Sequence, residues 1–107
     1  MIVSYRVAKF LKDRLGYNNS FTLYVYDRRG EMKFSMEPVL NPVPAPTILE
    51  AIEFLWKVGI KIYNIPEGKK SRGIIQIKDK QIKMIQLDNS PSESYTECLE
   101  YLSLDMH

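Results

Sequence analysis

The chain has 107 residues, a net charge of +2, and 45% apolar against 26% charged residues, a balance that excludes a wholly disordered chain. Its single cysteine, Cys98, excludes an intramolecular disulfide framework. No run approaches the ~18 apolar residues of a membrane span, and charge interrupts the first residues before a signal-like segment forms. We therefore expect one domain over residues 1–107 in a reducing, cytoplasmic location.

The first predicted element is a helix over Tyr5–Leu15. Ser4 is a suitable N-cap and Gly16 a suitable left-handed C-cap, and apolar residues recur between them at helical spacing. Alternation then predicts a β-hairpin with strands in Phe21–Tyr26 and Glu31–Glu37. It assigns these side chains to the core: Phe21, Leu23, Val25, Met32, Phe34 and Met36.

Proline recurs through residues 38–46, which we expect to be a stiff, extended crossing between two halves of the domain. Thr47 and Glu50 then fit a capping box, which predicts the start of a second helix that ends at Gly59. The predicted buried stripe of this helix is Ile48, Ala51, Ile52, Leu55 and Trp56.

The second half continues with three predicted strands, at Ile60–Ile65, Ile74–Lys78 and Ile82–Leu87, with a polar loop over residues 66–73. A third helix opens at a capping box over Ser90–Glu93. Its predicted apolar stripe is Tyr95, Cys98, Leu99 and Leu102. The order αββ–αβββα predicts an α+β fold of two layers, with one mostly antiparallel sheet and three helices on one of its faces.

The sequence contains no recognisable catalytic or metal site. His107 is the only histidine and the last residue, while Cys98 falls on the predicted buried face of a helix. Gly68–Ser71 lacks the first glycine of a phosphate loop and precedes a strand instead of a helix. We expect a protein that is not an enzyme and has no cofactor; a small enzyme without a recognisable motif is the alternative.

The outer face of the predicted sheet carries tyrosines interleaved with lysines. Tyrosine is favoured at protein interfaces, so the first interpretation of this face is a surface for a protein partner or for self-association. The predicted contact residues are Tyr24, Tyr26, Lys33, Lys61 and Tyr63.

Nucleic-acid binding is the second interpretation of the same face. Residues 1–83 carry 15 Lys and Arg against 8 Asp and Glu, and interleaved tyrosines and lysines can stack on bases and hold phosphates. The basic loops that would extend this surface contain Arg28, Arg29, Lys69, Lys70 and Arg72. Double-stranded-RNA-binding domains share the order αβββα, but they place lysines where this last helix opens with Ser90–Glu93.

Four motifs lie in residues 46–102: Pro46–Thr47, Phe54–Lys57, Gly59–Ile62 and Ser94–Leu99. In these motifs the segment resembles small uncharacterised proteins of phages and integrated elements of Bacteroides-type bacteria. The resemblance implies an origin in a mobile element and assigns no activity and no site residue. We therefore expect a non-enzymatic accessory protein of a phage or mobile element that acts by binding a protein.

Overall fold

The computed structural model describes residues 1–19, 21–87 and 91–105. Over these residues the chain forms three helices and two three-stranded antiparallel sheets, which confirms the α+β class. In chain order the elements are α1 (Tyr5–Leu15), β1 (Tyr24–Tyr26), β2 (Met32–Phe34), β3 (Val43–Ala45), α2 (Ile48–Lys57), β4 (Ile60–Glu67), β5 (Lys70–Ile77), β6 (Lys80–Leu87) and α3 (Pro91–Asp105).

The strands form two sheets where the sequence predicts one. Their orders are β2-β1-β3 and β4-β5-β6. The chain divides into two compact units, an N-terminal unit over Met1–Ala51 and a C-terminal unit that begins at Ile52, inside α2. The single domain over residues 1–107 stays a prediction. Within the described ranges, no helix has both the length and the apolar character that a membrane span requires.

Helix α1 begins and ends at the predicted residues because both of its caps form. Val7 N donates a hydrogen bond to Ser4 Oγ over 3.3 Å. Gly16 adopts a φ of 73°, which glycine reaches without steric cost. Tyr17 N then donates to Leu11 O over 2.9 Å, which closes the end of the helix. The buried face of α1 consists of Val7, Ala8, Phe10 and Leu11.

The N-terminal sheet has β1 at its centre, with β2 and β3 antiparallel on its two sides. β3 lies in the proline-rich segment, where the sequence predicts a crossing and not a paired strand. Pro44 lies opposite Val25, while its neighbours Val43 and Ala45 lie opposite Tyr26 and Tyr24. Since alternate residues of an edge strand direct their N atoms away from the sheet, a proline at this position removes no ladder hydrogen bond.

The predicted core face of the hairpin is wrong for most of its side chains. Val25 is buried, but the others are largely exposed: Phe21 92%, Leu23 64%, Met32 44%, Phe34 53% and Met36 94%. Tyr26, predicted on the outer face, is only 7% exposed. Burial of its hydroxyl is tolerated because the hydroxyl donates to Val3 O over 2.7 Å.

Helix α2 begins with the predicted capping box. Thr47 N donates to Glu50 Oε1 over 3.0 Å, and Glu50 N donates to Thr47 Oγ1 over 3.1 Å. These reciprocal bonds satisfy main-chain donors that the first turn leaves open. The predicted stripe is buried at Ile48, Ala51 and Leu55. Ile52 is only half-buried, and Trp56 is 42% exposed, so the prediction is wrong for Trp56.

The C-terminal sheet has β5 at its centre, with β4 and β6 antiparallel on its two sides. The loop predicted over residues 66–73 is a tight turn instead, because Glu67 and Lys70 already pair across β4 and β5. Gly68, with a φ of 62°, supplies the left-handed residue that this turn needs.

Helix α3 packs against the C-terminal sheet, mainly over β5. Three of its predicted stripe residues are fully buried: Cys98, Leu99 and Leu102. The approach is close at Gly73, where an added Cβ would lie 2.7 Å from both Cys98 Sγ and Ser94 Oγ. Glycine at this position therefore lets the helix pack closely on the sheet. The predicted capping box over Ser90–Glu93 and the terminal His107 lie outside the described residues and side chains.

Candidate functional site

The predicted tyrosine and lysine face is divided between the two units. Tyr24, Tyr26 and Lys33 belong to the N-terminal sheet, whereas Lys61 and Tyr63 belong to β4 of the C-terminal sheet. The predicted face required all of these strands to lie in one sheet. Because they lie in two, the five residues do not share a sheet face.

Tyr26 is a core residue and offers no surface to a partner, contrary to its predicted role. Its ring packs edge-on against Tyr5, with centroids 5.5 Å apart. Tyr24 is half-buried and stacks on Phe34 of the neighbouring strand, with centroids 5.3 Å apart. Of these tyrosines, only Tyr24 lies where a partner could reach it.

Three of the predicted basic residues carry an acidic neighbour. Ion pairs at a protein surface contribute little to stability. They do reduce the net positive potential that a phosphate group would meet. The pairs are Lys33 with Glu31 at 3.7 Å, Lys61 with Asp79 at 3.6 Å, and Arg72 with Glu67 at 3.0 Å.

The predicted basic loops are only partly loops. Lys70 and Arg72 are strand residues of β5, and Lys69 lies in the turn that precedes them. Arg28 and Arg29 do lie in the turn between β1 and β2. The prediction of a loop is therefore wrong for Lys70 and Arg72, which lie in a strand.

Asp27 organises the turn between β1 and β2. Its Oδ1 accepts hydrogen bonds from Glu31 N and Arg29 N, each over 2.9 Å. These main-chain donors, Glu31 first, hold the pKa of the carboxyl below its usual range. The turn borders an open cavity of about 340 Å³ that Lys33 and Leu40 also line. The fixed turn sets the position at which β2 begins.

A surface that we call the apolar edge surrounds β2, the outer strand of the N-terminal sheet. Its members are the exposed side chains of Met32 and Phe34 on one face of the hairpin, Leu23 on the other face, and Phe21 and Met36 just outside the strands. Leu23 belongs to the same ladder, because its carbonyl accepts a hydrogen bond from Ser35 N over 2.9 Å. Large apolar side chains exposed together are typical of interaction sites.

The main chain of Met32 faces outward from this edge. Ser35 N donates to Leu23 O, and Asp27 N donates to Glu31 O over 3.0 Å, so odd-numbered residues here direct their polar groups toward β1. In an antiparallel ladder the alternate residues direct theirs to the other side. Met32 therefore presents its N–H and C=O to a further strand.

A second feature, which we call the aromatic cleft, lies in the C-terminal unit. It has a volume of about 550 Å³, and α2, β4 and α3 contribute to its lining. The Trp56 and Tyr63 rings meet edge to face, with centroids 5.2 Å apart. Other lining side chains are Ile52, Ile62, Asn64 and Tyr95. Its size and aromatic lining are those of ligand pockets.

Polar groups around the cleft add both charge and hydrogen-bonding capacity. Lys61 Nζ lies 5.5 Å from the centroid of the Trp56 ring, and Glu53 and Lys57 border the opening. Asn64 Oδ1 is buried and has no hydrogen-bond partner within the described chain. A buried acceptor without a donor lowers the free energy of unfolding, so most buried acceptors in native proteins are hydrogen-bonded. Asn64 is an exception to this rule.

Two further candidates for chemistry are a cluster of metal ligands and the thiol of Cys98. Within residues 1–19, 21–87 and 91–105, no cluster of three or more His, Cys, Asp or Glu side chains has the arrangement of a metal site. Cys98 is fully buried, and burial, with a smaller contribution from Glu97, raises the pKa of its thiol to about 11. A thiol so protonated is a poor nucleophile at neutral pH.

Sequence reasoning missed the apolar edge because it used alternation to place apolar side chains inside. The clearest available signal was proline spacing: Pro42, Pro44 and Pro46 recur at the strand period of two residues. That spacing is compatible with an edge strand. The strand it forms, β3, pairs with β1, and this pairing changes which side chains of the N-terminal sheet are buried. The chain matches no protein-family model, no curated protein and no solved structure.

Proposed function

We propose that the chain is a non-enzymatic protein-binding protein that docks through the apolar edge. The resemblance of residues 46–102 to phage and integrated-element proteins supports an accessory role in such an element, and this origin is part of the proposal. The interface residues differ from those that the sequence predicts, because Phe34 and its exposed neighbours replace Tyr26 as the groups that a partner would contact.

The exposure of Phe21, Phe34 and Met36 is the observation that carries this proposal. More than half of each residue is exposed, at 92%, 53% and 94%. Removing apolar surface from water stabilises an interface by about 25 cal/mol per Å² before the costs of association. Isolated exposed apolar residues are ordinary, but these flank one free strand that also offers main-chain hydrogen bonds.

The test is a binding experiment with paired variants. A tagged chain captures partners from host lysate with and without nuclease, and Phe34→Ser is compared with Leu49→Ser. Leu49 is 68% exposed but lies on α2, so it controls for loss of an exposed apolar side chain elsewhere. We expect Phe34→Ser to lose a nuclease-resistant protein partner that Leu49→Ser retains. Equal binding by both variants would rule out the apolar edge.

The second candidate function is binding of single-stranded nucleic acid at the aromatic cleft. Trp56 and Tyr63 offer ring surfaces for base stacking, and Lys57 and Lys61 lie beside them. Trp56 is the only tryptophan of the chain, so its fluorescence reports on this cleft alone. This function requires quenching by an oligonucleotide that weakens steeply with salt and is lost in Tyr63→Ser but not in Tyr24→Ser. Absent or salt-independent quenching would exclude it.

A further inference from the structure

We propose that the partner of the apolar edge is a second copy of this chain, joined by antiparallel pairing of β2 with β2 of the copy. The two-fold axis of this dimer passes beside Met32. The inference rests on the proposed function of the apolar edge, because it names the occupant of that same surface.

Hydrogen-bond geometry restricts the registers in which two β2 strands can pair. A two-fold axis can pass through a hydrogen-bonded pair, which allows Met32 or Phe34, or through a non-hydrogen-bonded pair, which allows Glu31 or Lys33. A centre at Glu31 or Lys33 would place that charged residue directly opposite its own copy, and such like-charge pairs are unfavourable. Phe34 O already accepts a hydrogen bond from Glu37 N over 3.0 Å. Met32 is therefore the better centre, since both of its main-chain groups can pair with the same groups of the copy.

Charge selects the same register. With Met32 opposite its own copy, Glu31 lies opposite Lys33 of the second chain, and the two-fold axis repeats this pair. Centring on Phe34 would instead place Glu31 opposite Glu37, which is a repulsive pair of carboxylates. Opposite charges directly across an antiparallel pair are favourable and like charges are unfavourable. The sequence of β2 and its flanks is thus self-complementary about Met32.

The side chains of the other face are apolar in this arrangement. Met32 would lie against Met32 of the copy, and Phe34, already stacked on Tyr24, would lie diagonally beside it. The exposed fractions of Met32 and Phe34, 44% and 53%, would decrease on pairing. One face of the paired strands would therefore be apolar, with Met32 and Phe34, and the other would hold Glu31 and Lys33 of both chains in alternation.

The test is a charge exchange that leaves the main chain intact. Sedimentation equilibrium measures the dimer dissociation constant of the native chain, Glu31→Lys, Lys33→Glu, and the double variant. Each single substitution turns both attractive pairs into repulsive ones, so we expect each to weaken dimerisation by about tenfold. The double variant restores opposite charges in both pairs and should return to near the native constant. Circular dichroism of each variant checks that it is folded.

The possible results separate this inference from the proposed function. A native chain that stays monomeric up to millimolar concentration overturns the second copy as partner. If Phe34→Ser still loses a lysate partner in that case, docking through the apolar edge stands with a different occupant. A dimer that is insensitive to all three charge variants overturns the Met32-centred register. Weakening by both single variants with recovery in the double variant supports the inference.

Discussion

The indole nitrogen of Trp56 donates a hydrogen bond to the main-chain carbonyl of Ile62 over 3.4 Å. Ile62 lies in β4, the outer strand of the C-terminal sheet, and its carbonyl points away from β5. Trp56 thus covers part of an edge that would otherwise accept another strand. The N-terminal sheet has no comparable side-chain cover at Met32 among the described residues, which is why we propose β2 and not β4 as the pairing strand.

Replacing Trp56 with phenylalanine should therefore weaken the C-terminal unit modestly. The ring remains, but the hydrogen bond to Ile62 is lost, and we expect the free energy of unfolding to fall by about 0.5–1.5 kcal/mol. Urea denaturation followed by circular dichroism measures the change. Tyr63→Phe keeps both the ring pair and the indole bond and serves as the control. A loss no larger than that of the control would show that the 3.4 Å contact contributes nothing.

Tyr26→Phe tests whether Tyr26 belongs to the core. The substitution leaves the buried carbonyl of Val3 without its donor, and we expect it to lower the free energy of unfolding by about 1–3 kcal/mol. Tyr24→Phe, at a half-buried ring of the same strand, should change it by less than about 0.5 kcal/mol. Thermal and urea denaturation of the two variants give the comparison. Similar small losses in both would contradict the assignment of Tyr26 to the core.

Gly73→Ala should strain the contact between α3 and β5. Its new Cβ would lie 2.7 Å from Cys98 Sγ and Ser94 Oγ, so the helix must move, and we expect a destabilisation of about 1–3 kcal/mol. Adding Cys98→Ala removes one of the two clashing atoms. The double variant should then be less destabilised than the sum of the two single changes. Strict additivity would show that α3 does not approach Gly73 as closely as described.

The thiol of Cys98 should be unreactive in the native chain and should make stability depend on pH. Burial raises its pKa from 9.0 to about 11, so the folded state holds a proton that the unfolded state loses first. The associated stability is complete below pH 9 and disappears as pH rises toward 11. Urea titrations at pH 8 and 10.5 measure this loss, which Cys98→Ala should lack. Rapid labelling of the native thiol at pH 8 would contradict the burial.

Helix ends could be predicted from the sequence because caps are local. Ser4 bonds to a residue three positions away, and Thr47 and Glu50 bond to each other, so short windows contain the whole interaction. Helices α1 and α2 therefore agree with prediction more closely than the strands do.

The strand faces could not be predicted because they depend on distant segments. Tyr26 is buried through a hydrogen bond to Val3, 23 positions away, and Val3 is held by Pro46. Alternation identifies the two faces of a strand but not which of them the rest of the chain covers. The hairpin register adds a second reason, because Tyr24 pairs with Phe34 and Tyr26 with Met32, so Met32 and Phe34 lie on the face of the tyrosines and not on that of Val25.

The prolines of β3 have a consequence for the size of any assembly. Pro44 has no N–H to offer, and the carbonyl of Pro46 is already bonded to Val3 N over 3.0 Å. A further strand placed beside β3 would therefore find few main-chain groups free to form hydrogen bonds. Beside β2, the N–H and C=O of Met32 face outward and can pair. The N-terminal sheet can therefore grow from one side only, and two copies joined at β2 would leave no further free edge in that sheet. Pairing at β2 would then stop at two chains, because the joined N-terminal sheets would offer no strand to a third copy.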